Sequence, residues 1–170
     1  MTVLTKQELL DLLKANPPLV EEIYNPSIQV QPNGIELTVR RIERFVHRGA
    51  IAYINEEREI SPTTPIDLDI DIWTYLEQGA YKVVFNEFVN IPNWLIAIAR
   101  PRSSLLRSGV TVETGVWDAR YGGRSEAMLV VHNKHGFKIK KNARIVQLVF
   151  MRLVRPVEEG YNGIYQGENL

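Results

Sequence analysis

A cluster of basic and hydroxyl side chains near the middle of the sequence could bind a charged small molecule. Arg102, Ser103, Ser104 and Arg107 lie close together, and Asp118 follows them. Guanidinium groups form short bidentate hydrogen bonds with phosphate oxygens, and serine hydroxyls add further donors. A carboxylate such as Asp118 could take a proton from water as a general base. A polar surface loop would contain the same residue types, so the surrounding motifs must decide between the two interpretations.

The order of the motifs along the chain resembles the dUTPase and dCTP deaminase superfamily. The motifs are GIELTV (34–39), PRSSLLRSG (101–109), GVWDARYGG (115–123), ARIVQLVF (143–150) and GYNGIYQG (160–167). The opening helix, the segment before the second motif and the closing Tyr/Gln tail resemble the deaminase branch, which includes archaeal dUTPases. This resemblance implies a mainly β fold, a distorted jelly-roll of the dUTPase-like β-clip type, which assembles as a homotrimer with active sites between subunits.

The resemblance also implies a dUTP diphosphatase that converts dUTP to dUMP and pyrophosphate with magnesium. Asp118 would activate the attacking water, and the Arg/Ser cluster would hold the phosphates. Glu36 takes the position of the family's motif-one carboxylate, which supports the magnesium shell or a neighbouring catalytic group; an exposed surface glutamate is the alternative. The other substrate contacts implied are Arg144, Gln147, Tyr121 against the deoxyribose, and Tyr161, Tyr165 and Gln166 of the tail. The uracil would be read largely by backbone donors and acceptors around Val112 to Gly115, in the loop that contains Thr114.

The spacing of Arg144 and Gln147 limits how they could share a ligand. Residues three apart on a regular strand point to opposite faces of the sheet. Both side chains therefore reach one ligand only if the backbone bulges or if two subunits share the site. We assign Gln147 to the ligand first, because Arg144 could instead form a surface or interface salt bridge.

One acidic position separates dUTP hydrolysis from dCTP deamination. In the deaminases an acid follows the motif-three aspartate by ten residues, in a stretch ending with Asn, and here the two ways of counting reach Met128 and Val130. Neither side chain can move a proton, which favours the dUTPase. Glu126 lies on the same strand face by period-two alternation, so a bulge could bring it inward and restore a dCTP deaminase or a bifunctional enzyme.

A noncatalytic nucleotide-binding module on the same fold is a third reading of these motifs. Asp118 argues against it, because a module that only binds a polyanion gains nothing from an additional negative charge. An assay of turnover separates this reading from the two enzymes.

Composition limits the classes of protein that fit. The 170 residues are 45% hydrophobic, which suits a single domain over 1–170. Twenty basic residues balance twenty acidic ones, so we expect no nucleic-acid partner. The absence of cysteine excludes disulfides, thiol catalysis and thiolate zinc sites. No apolar stretch approaches 18 residues and no signal-peptide pattern opens the chain, so we expect no membrane partner and a cytoplasmic location.

Hydrophobic periodicity predicts one short helix followed by strands. Thr5–Lys14 has a leucine-rich flank and a capping box made by Thr5 and Glu8, and the prolines after Asn16 end the helix. Strands are predicted around 35–39, 83–89, 96–99, 127–132, 137–139 and 145–154. The acidic segment 56–71 is predicted to be an excursion between strands, although alternating isoleucine and leucine from Ile66 to Ile72 could form another strand.

The closing segment 160–170 has three glycines and two tyrosines and little to bury. We expect this tail to be mobile when the site is empty and to fold over bound nucleotide. An ordinary frayed terminus is the alternative.

Overall fold

The structure is a computed structural model that describes residues 2–170, and within this range the chain is mainly β with three short helices. The helices are α1 (Lys6–Leu12), α2 (Pro26–Gln29) and α3 (Ser103–Arg107), and a 3₁₀ turn spans Asn55–Glu57. The strands are β1 (Val20–Glu21), β2 (Val30–Gln31), β3 (Gly34–Phe45), β4 (Thr63–Ile66), β5 (Thr74–Leu76), β6 (Gly79–Phe85), β7 (Phe88–Asn90), β8 (Leu95–Pro101), β9 (Val110–Glu113), β10 (Gly122–Gly123), β11 (Glu126–Val131), β12 (Phe137–Ile139) and β13 (Arg144–Arg152).

The predicted N-terminal helix is confirmed, with its capping box. The Thr5 hydroxyl accepts a hydrogen bond from the Glu8 amide at 3.4 Å, and the Glu8 carboxylate accepts one from the Thr5 amide at 2.8 Å. Glu8 also pairs with Arg152 at 2.9 Å, which fixes the helix against β13. No helix within residues 2–170 is long and apolar enough to cross a membrane.

One antiparallel sheet forms the body of the fold. Its strand order is β8-β13-β3-β6-β11-β9, and α3 joins the two edge strands β8 and β9, so the sheet is a nearly closed barrel. The predicted mainly β class is therefore confirmed. The largest fully buried side chains, which fill the core, include Leu9, Ile35, Leu37, Ile42, Phe85, Leu95, Leu129, Leu148 and Phe150.

The first half of β3 is buried on both faces, although alternation predicted one exposed face. A buried carboxylate from the turn after β6 covers the second face: Glu87 accepts hydrogen bonds from the Thr38 amide at 2.9 Å and from the Thr38 hydroxyl at 2.7 Å. Gln29 donates to Glu87 at 2.7 Å and to the Glu36 carbonyl at 2.9 Å. Burial raises the pKa of Glu87, although these hydrogen bonds oppose the rise. The network fixes the backbone around Glu36.

The acidic segment between β3 and β5 is an excursion, as predicted, and contributes the short strand β4. The alternating residues do not continue this strand beyond Ile66. The Asp69 carboxylate accepts hydrogen bonds from the amides of Asp71 and Ile72 at 2.6 and 3.0 Å. An aspartate that bonds the backbone two residues on forms a turn, so the alternative, a strand from Ile66 to Ile72, does not form for this local reason.

Candidate functional site

The Arg/Ser cluster lines a cavity of about 370 Å³, here called the arginine pocket. It forms where β8 ends at Pro101 and α3 begins at Ser103. The hydroxyls of Ser103 and Ser104 make no hydrogen bond within the described chain, so they are available to a ligand. The residues that line the pocket are Glu36, Arg100, Pro101, Arg102, Ser103, Ser104, Gln147 and Val149.

Glu36 is the centre of a charged network in this pocket. One carboxylate oxygen pairs with Arg102 Nε at 2.6 Å, and the other pairs with Arg144 Nη1 at 2.6 Å. Glu36 is only 5% exposed, so it is not the surface residue that alternation allowed. Because both oxygens bind guanidinium groups, Glu36 orients the two arginines. Its predicted role as a magnesium ligand stays a prediction, and no group of three or more metal-ligating residues exists within residues 2–170.

A β-bulge brings Arg144 and Gln147 to the same side of the sheet. Arg144 lies opposite Thr38 and Val146 opposite Leu37, so Ile145 is the additional residue in β13. Gln147 then lies opposite Glu36, the residue that Arg144 binds. Such a bulge redirects the side chains that follow it. On a regular strand the spacing of three would place Arg144 and Gln147 on opposite faces. Because of the bulge, both side chains lie on the same face.

Gly34 allows Gln147 to lie where it does. A Cβ on Gly34 would stand 2.6 Å from the Leu148 carbonyl oxygen and 2.9 Å from Gln147 Cγ. Any larger residue would therefore push β13 away from β3 or displace the Gln147 side chain.

Asp118 begins a tight turn that is fixed on two sides. Its carbonyl accepts from the Tyr121 amide at 3.1 Å, and Arg120 within the turn has a φ of 68°. Ile91 holds the turn, because its carbonyl accepts from the Arg120 amide at 2.9 Å and its amide donates to the Tyr121 carbonyl at 2.8 Å. The Asp118 side chain is exposed and makes no hydrogen bond or ion pair within residues 2–170. It is thus an accessible acceptor on a rigid turn.

A second cavity of about 380 Å³ lies beside this turn and is here called the aromatic pocket. Its floor is the outer face of β6 and β11, and its walls come from the excursion after β3, the loop before Asp118 and the tail. The residues that line it are Phe45, Ile60, Lys82, Gly115, Val116, Trp117, Tyr121, Ser125, Glu126, Ala127, Met128, Tyr161, Tyr165 and Glu168.

Tyr121 is held at the wall of the aromatic pocket. Its hydroxyl donates to the Glu168 carboxylate at 2.7 Å, and its ring contacts Tyr161 edge to face, with centroids 5.8 Å apart. Burial, helped by the bond to Glu168, raises the pKa of Tyr121 well above its ordinary value. Burial also raises the pKa of Glu168, although the Tyr121 bond opposes this. Tyr121 therefore remains a neutral donor.

The tail lies along the Asp118 turn of its own chain. The Gln166 side chain accepts from the Gly122 amide at 3.1 Å and donates to the Arg120 carbonyl at 3.0 Å. Tyr165 stacks with the Arg58 guanidinium at 5.8 Å. Two of the predicted tail contacts, Tyr161 and Tyr165, line the aromatic pocket, and no tail residue lines the arginine pocket. The expected mobility of the empty tail stays a prediction.

The other predicted site residues are divided by the fold. Val112 is buried in the core, Arg107 is exposed, and neither they nor Thr114 line either pocket. Trp117, the residue before Asp118, pairs with Ala97 of β8. Arg102 lies five residues beyond Ala97, and five residues of strand at about 3.3 Å each span roughly 16 Å. Asp118 and Arg102 are therefore separated by about this length of β8. One chain therefore does not bring Asp118 to the arginine pocket.

Sequence reasoning missed several residues that line the pockets. Lys82 interrupts an apolar strand at an outward position, which was an available signal, and Arg100 directly precedes the predicted cluster. Glu168 carries no local signal, because its contact with Tyr121 joins residues 47 apart in the chain. Glu126 and Met128 both face the aromatic pocket, and Glu126 does so without a bulge in β11.

Comparison with known proteins identifies the family. The family model described as dCTP deaminase-like matches residues 3–153. The chain belongs to this family. It is 54% identical over 99% of both chains to a Methanosarcina mazei protein and 42% identical over 100% of this chain and 99% of the other to an Archaeoglobus fulgidus protein, both named probable deoxyuridine 5'-triphosphate nucleotidohydrolase. A Methanocaldococcus jannaschii protein named deoxyuridine 5'-triphosphate nucleotidohydrolase is 38% identical over 82% of this chain and 88% of its own. The predicted superfamily is confirmed.

A solved structure supports the predicted fold. The 2'-deoxycytidine 5'-triphosphate deaminase from Agrobacterium tumefaciens matches 89% of this chain with a TM-score of 0.70 at 20% identity. The match covers 47% of the deaminase, so this chain spans about half of its length. At this identity the likeness concerns the fold alone, and it confirms the distorted jelly-roll.

Proposed function

We propose that this protein is a dUTP diphosphatase that hydrolyses dUTP to dUMP and pyrophosphate. The observation that carries the proposal is the exposed Asp118 carboxylate on a rigid turn beside the aromatic pocket. The archaeal relatives support it, because they carry the dUTP nucleotidohydrolase name at up to 54% identity over 99% of the chain.

In this mechanism Asp118 accepts a proton from water, and the water oxygen attacks the α-phosphorus. The bond between the α-phosphorus and the bridging oxygen breaks, and pyrophosphate leaves with the electron pair. Arg102, Ser103 and Ser104 bind the phosphate oxygens, joined by Gln147, while Arg144 acts with Glu36 to fix Arg102. Donors set in advance around developing charge are the largest contribution to such reactions. Tyr121 packs against the deoxyribose and excludes a 2'-hydroxyl by its bulk.

Magnesium belongs to the proposed reaction because it neutralises phosphate charge. Within residues 2–170 the protein forms no closed magnesium site, since Glu36 is bonded to two arginines and no cluster of three acidic or histidine ligands exists. A magnesium ion that arrives on the triphosphate fits these residues better than one held by the protein alone. Every other step of the reaction relies on protein side chains.

A homotrimer with active sites between subunits is part of the proposal. It is supported by the separation of roughly 16 Å along β8 between the arginine pocket and Asp118, because a neighbouring subunit could place its phosphate-binding residues beside Asp118. The cytoplasmic location stays a prediction from the sequence.

The test is an assay of the purified protein with magnesium and dUTP, dCTP, dTTP or UTP, in which pyrophosphate and ammonia are followed separately. We expect stoichiometric pyrophosphate from dUTP and no ammonia from dCTP. Glu126, which lines the aromatic pocket, favours dCTP deamination as the second candidate function. Ammonia that disappears in Glu126→Gln would establish that alternative, and binding without either product would indicate a noncatalytic module.

A further inference from the structure

An ion pair forms part of the floor of the aromatic pocket. Lys82 on β6 and Glu126 on β11 lie on adjacent strands, and Nζ is 3.2 Å from Oε1 of the carboxylate. The lysine is 21% exposed and the glutamate 30% exposed, so both reach the cavity. Four other polar side chains of the pocket are already paired, because Tyr121 bonds Glu168 and Ser125 accepts from the Trp117 indole at 3.0 Å.

The pair keeps one donor and one acceptor available. A lysine ammonium has three N–H donors, and two of them face Glu43 at 2.9 Å and Glu126 at 3.2 Å. Glu126 Oε1 also accepts from Asn169 at 3.2 Å, whereas Oε2 has no hydrogen-bond partner within the described residues. One N–H of Lys82 and one carboxylate oxygen of Glu126 therefore remain available to a ligand in the pocket.

The lysine remains charged at neutral pH. Burial acts to lower the pKa of Lys82, but the carboxylates of Glu43 and Glu126 outweigh it, and the pKa lies above its ordinary value. Burial acts to raise the pKa of Glu43, yet hydrogen bonds from Thr63, Lys82 and Arg41 lower it to about 2. The Lys82 ammonium is thus held in place by the Glu43 carboxylate, which stays ionised at neutral pH.

We propose that Lys82 and Glu126 read the pyrimidine edge of the substrate and determine the preference for uracil over cytosine. This inference rests on the proposed function, whose substrate it explains. Lys82 donates to uracil O4, and Glu126 accepts from the adjacent N3–H. Cytosine presents an amino donor to the ammonium and an N3 lone pair to the carboxylate, so both contacts become repulsive. Gly115 lines the same pocket, and its backbone is available to the O2 side of the ring.

The tail strengthens this readout by limiting water. Asn169 bonds Glu126, and Glu168 bonds Tyr121, so the last residues of the chain close one side of the pocket. A site built to hydrogen-bond its ligand discriminates strongly, because the wrong ligand leaves buried polar groups unpaired. Thymine has the same edge as uracil, so the pair is indifferent to a 5-methyl group.

Glu126→Gln tests the inference, because it keeps the shape of the side chain and turns an obligate acceptor into a group that can also donate to cytosine N3. We expect the ratio of kcat/KM for pyrophosphate release from dUTP and from dCTP to fall by at least about tenfold. Lys82→Gln should lower the same ratio. The control is Glu77→Gln, which removes an equivalent charge from an exposed carboxylate 3.9 Å from Arg44 and outside the pocket.

The ratio separates failure of this inference from failure of the proposed function. A wild-type protein that releases no pyrophosphate from dUTP would reject the proposed function itself. The wild type is expected to prefer dUTP to dCTP. If the folded variants Glu126→Gln and Lys82→Gln keep the same preference, the pair does not read the base, and the inference is overturned. If one variant does not fold by circular dichroism, the other decides alone. If neither variant folds, the affinity of the wild type for N3-methyl-dUTP is compared with its affinity for dUTP. Equal affinities would overturn the inference.

Discussion

The arginine pocket and the aromatic pocket are built in different ways. In the arginine pocket, Glu36 and Gln147 face each other across β3 and β13, and two ion pairs fix Arg102 and Arg144. The aromatic pocket has only its floor in the sheet, and its walls come from an excursion, a loop and the tail. Damage to the first pocket should therefore affect every nucleotide triphosphate equally, whereas damage to the second should change the preference among them.

The largest expected effect arises at Asp118, which lies beside the aromatic pocket and lines neither cavity. Asp118→Asn keeps shape and hydrogen bonding but removes the proton acceptor, so kcat for dUTP should fall by at least about 10², the usual cost of a lost general base. Calorimetric titration with dUTP should still detect binding, because neither pocket is changed. Near-normal turnover by the variant would reject Asp118 as the base.

Arg102→Gln should break the arginine pocket without changing nucleotide preference. The substitution removes a guanidinium that could hold phosphate oxygens, so KM for dUTP and for dTTP should rise by about tenfold, since a charge-assisted hydrogen bond contributes about 1.5–3 kcal/mol. Arg155→Gln is the control, because that arginine is exposed and lies outside both pockets. A rise confined to one nucleotide would contradict the division between the pockets.

Truncation after Glu159 removes one wall of the aromatic pocket and leaves the arginine pocket complete. We expect the protein to stay folded, because no residue of 160–170 belongs to the buried core. Turnover of dUTP should fall by about tenfold, since closing segments exclude water and complete active sites. Removal of Leu170 alone, which is 92% exposed, is the control. Full activity without the tail would identify it as an ordinary frayed terminus.

The smallest expected effect is the difference between alanine substitutions at two adjacent glycines, Gly122 and Gly123. A Cβ on Gly123 would stand 2.6 Å from the Tyr121 hydroxyl, whereas the nearest atom to a Cβ on Gly122 is 3.6 Å away. Gly123→Ala should displace Tyr121, at a cost of about 1–3 kcal/mol for overpacking, and reduce the preference for dUTP over UTP a few-fold. Gly122→Ala should keep that preference. Equal effects of the two substitutions would reject a role for Tyr121 in sugar selection.

Local signals allowed correct predictions from the sequence, and long-range pairings did not. The helix after Thr5 could be predicted because its capping box lies within four residues, and the strands because alternation is local. The bulge at Ile145 depends on the register between β3 and β13, which no short window of sequence contains. Likewise, Lys82 and Glu168 reach the aromatic pocket only because an interior strand and the last residues of the chain meet there. The motif made Asp118 a candidate for the general base, which stays a prediction, but no motif indicated that Asp118 and Arg102 lie far apart in one chain.

The anchored C-terminus has a practical consequence for handling the protein. Leu170 is exposed, but Asn169 bonds both Glu126 and the Arg124 carbonyl, so Asn169 is held at the edge of the aromatic pocket. An affinity tag added after Leu170 would begin two residues after Asn169, close to the wall of the aromatic pocket that the tail forms. A tag at the amino end would avoid this steric interference, so activities of the two tagged forms should be compared before either is taken as representative.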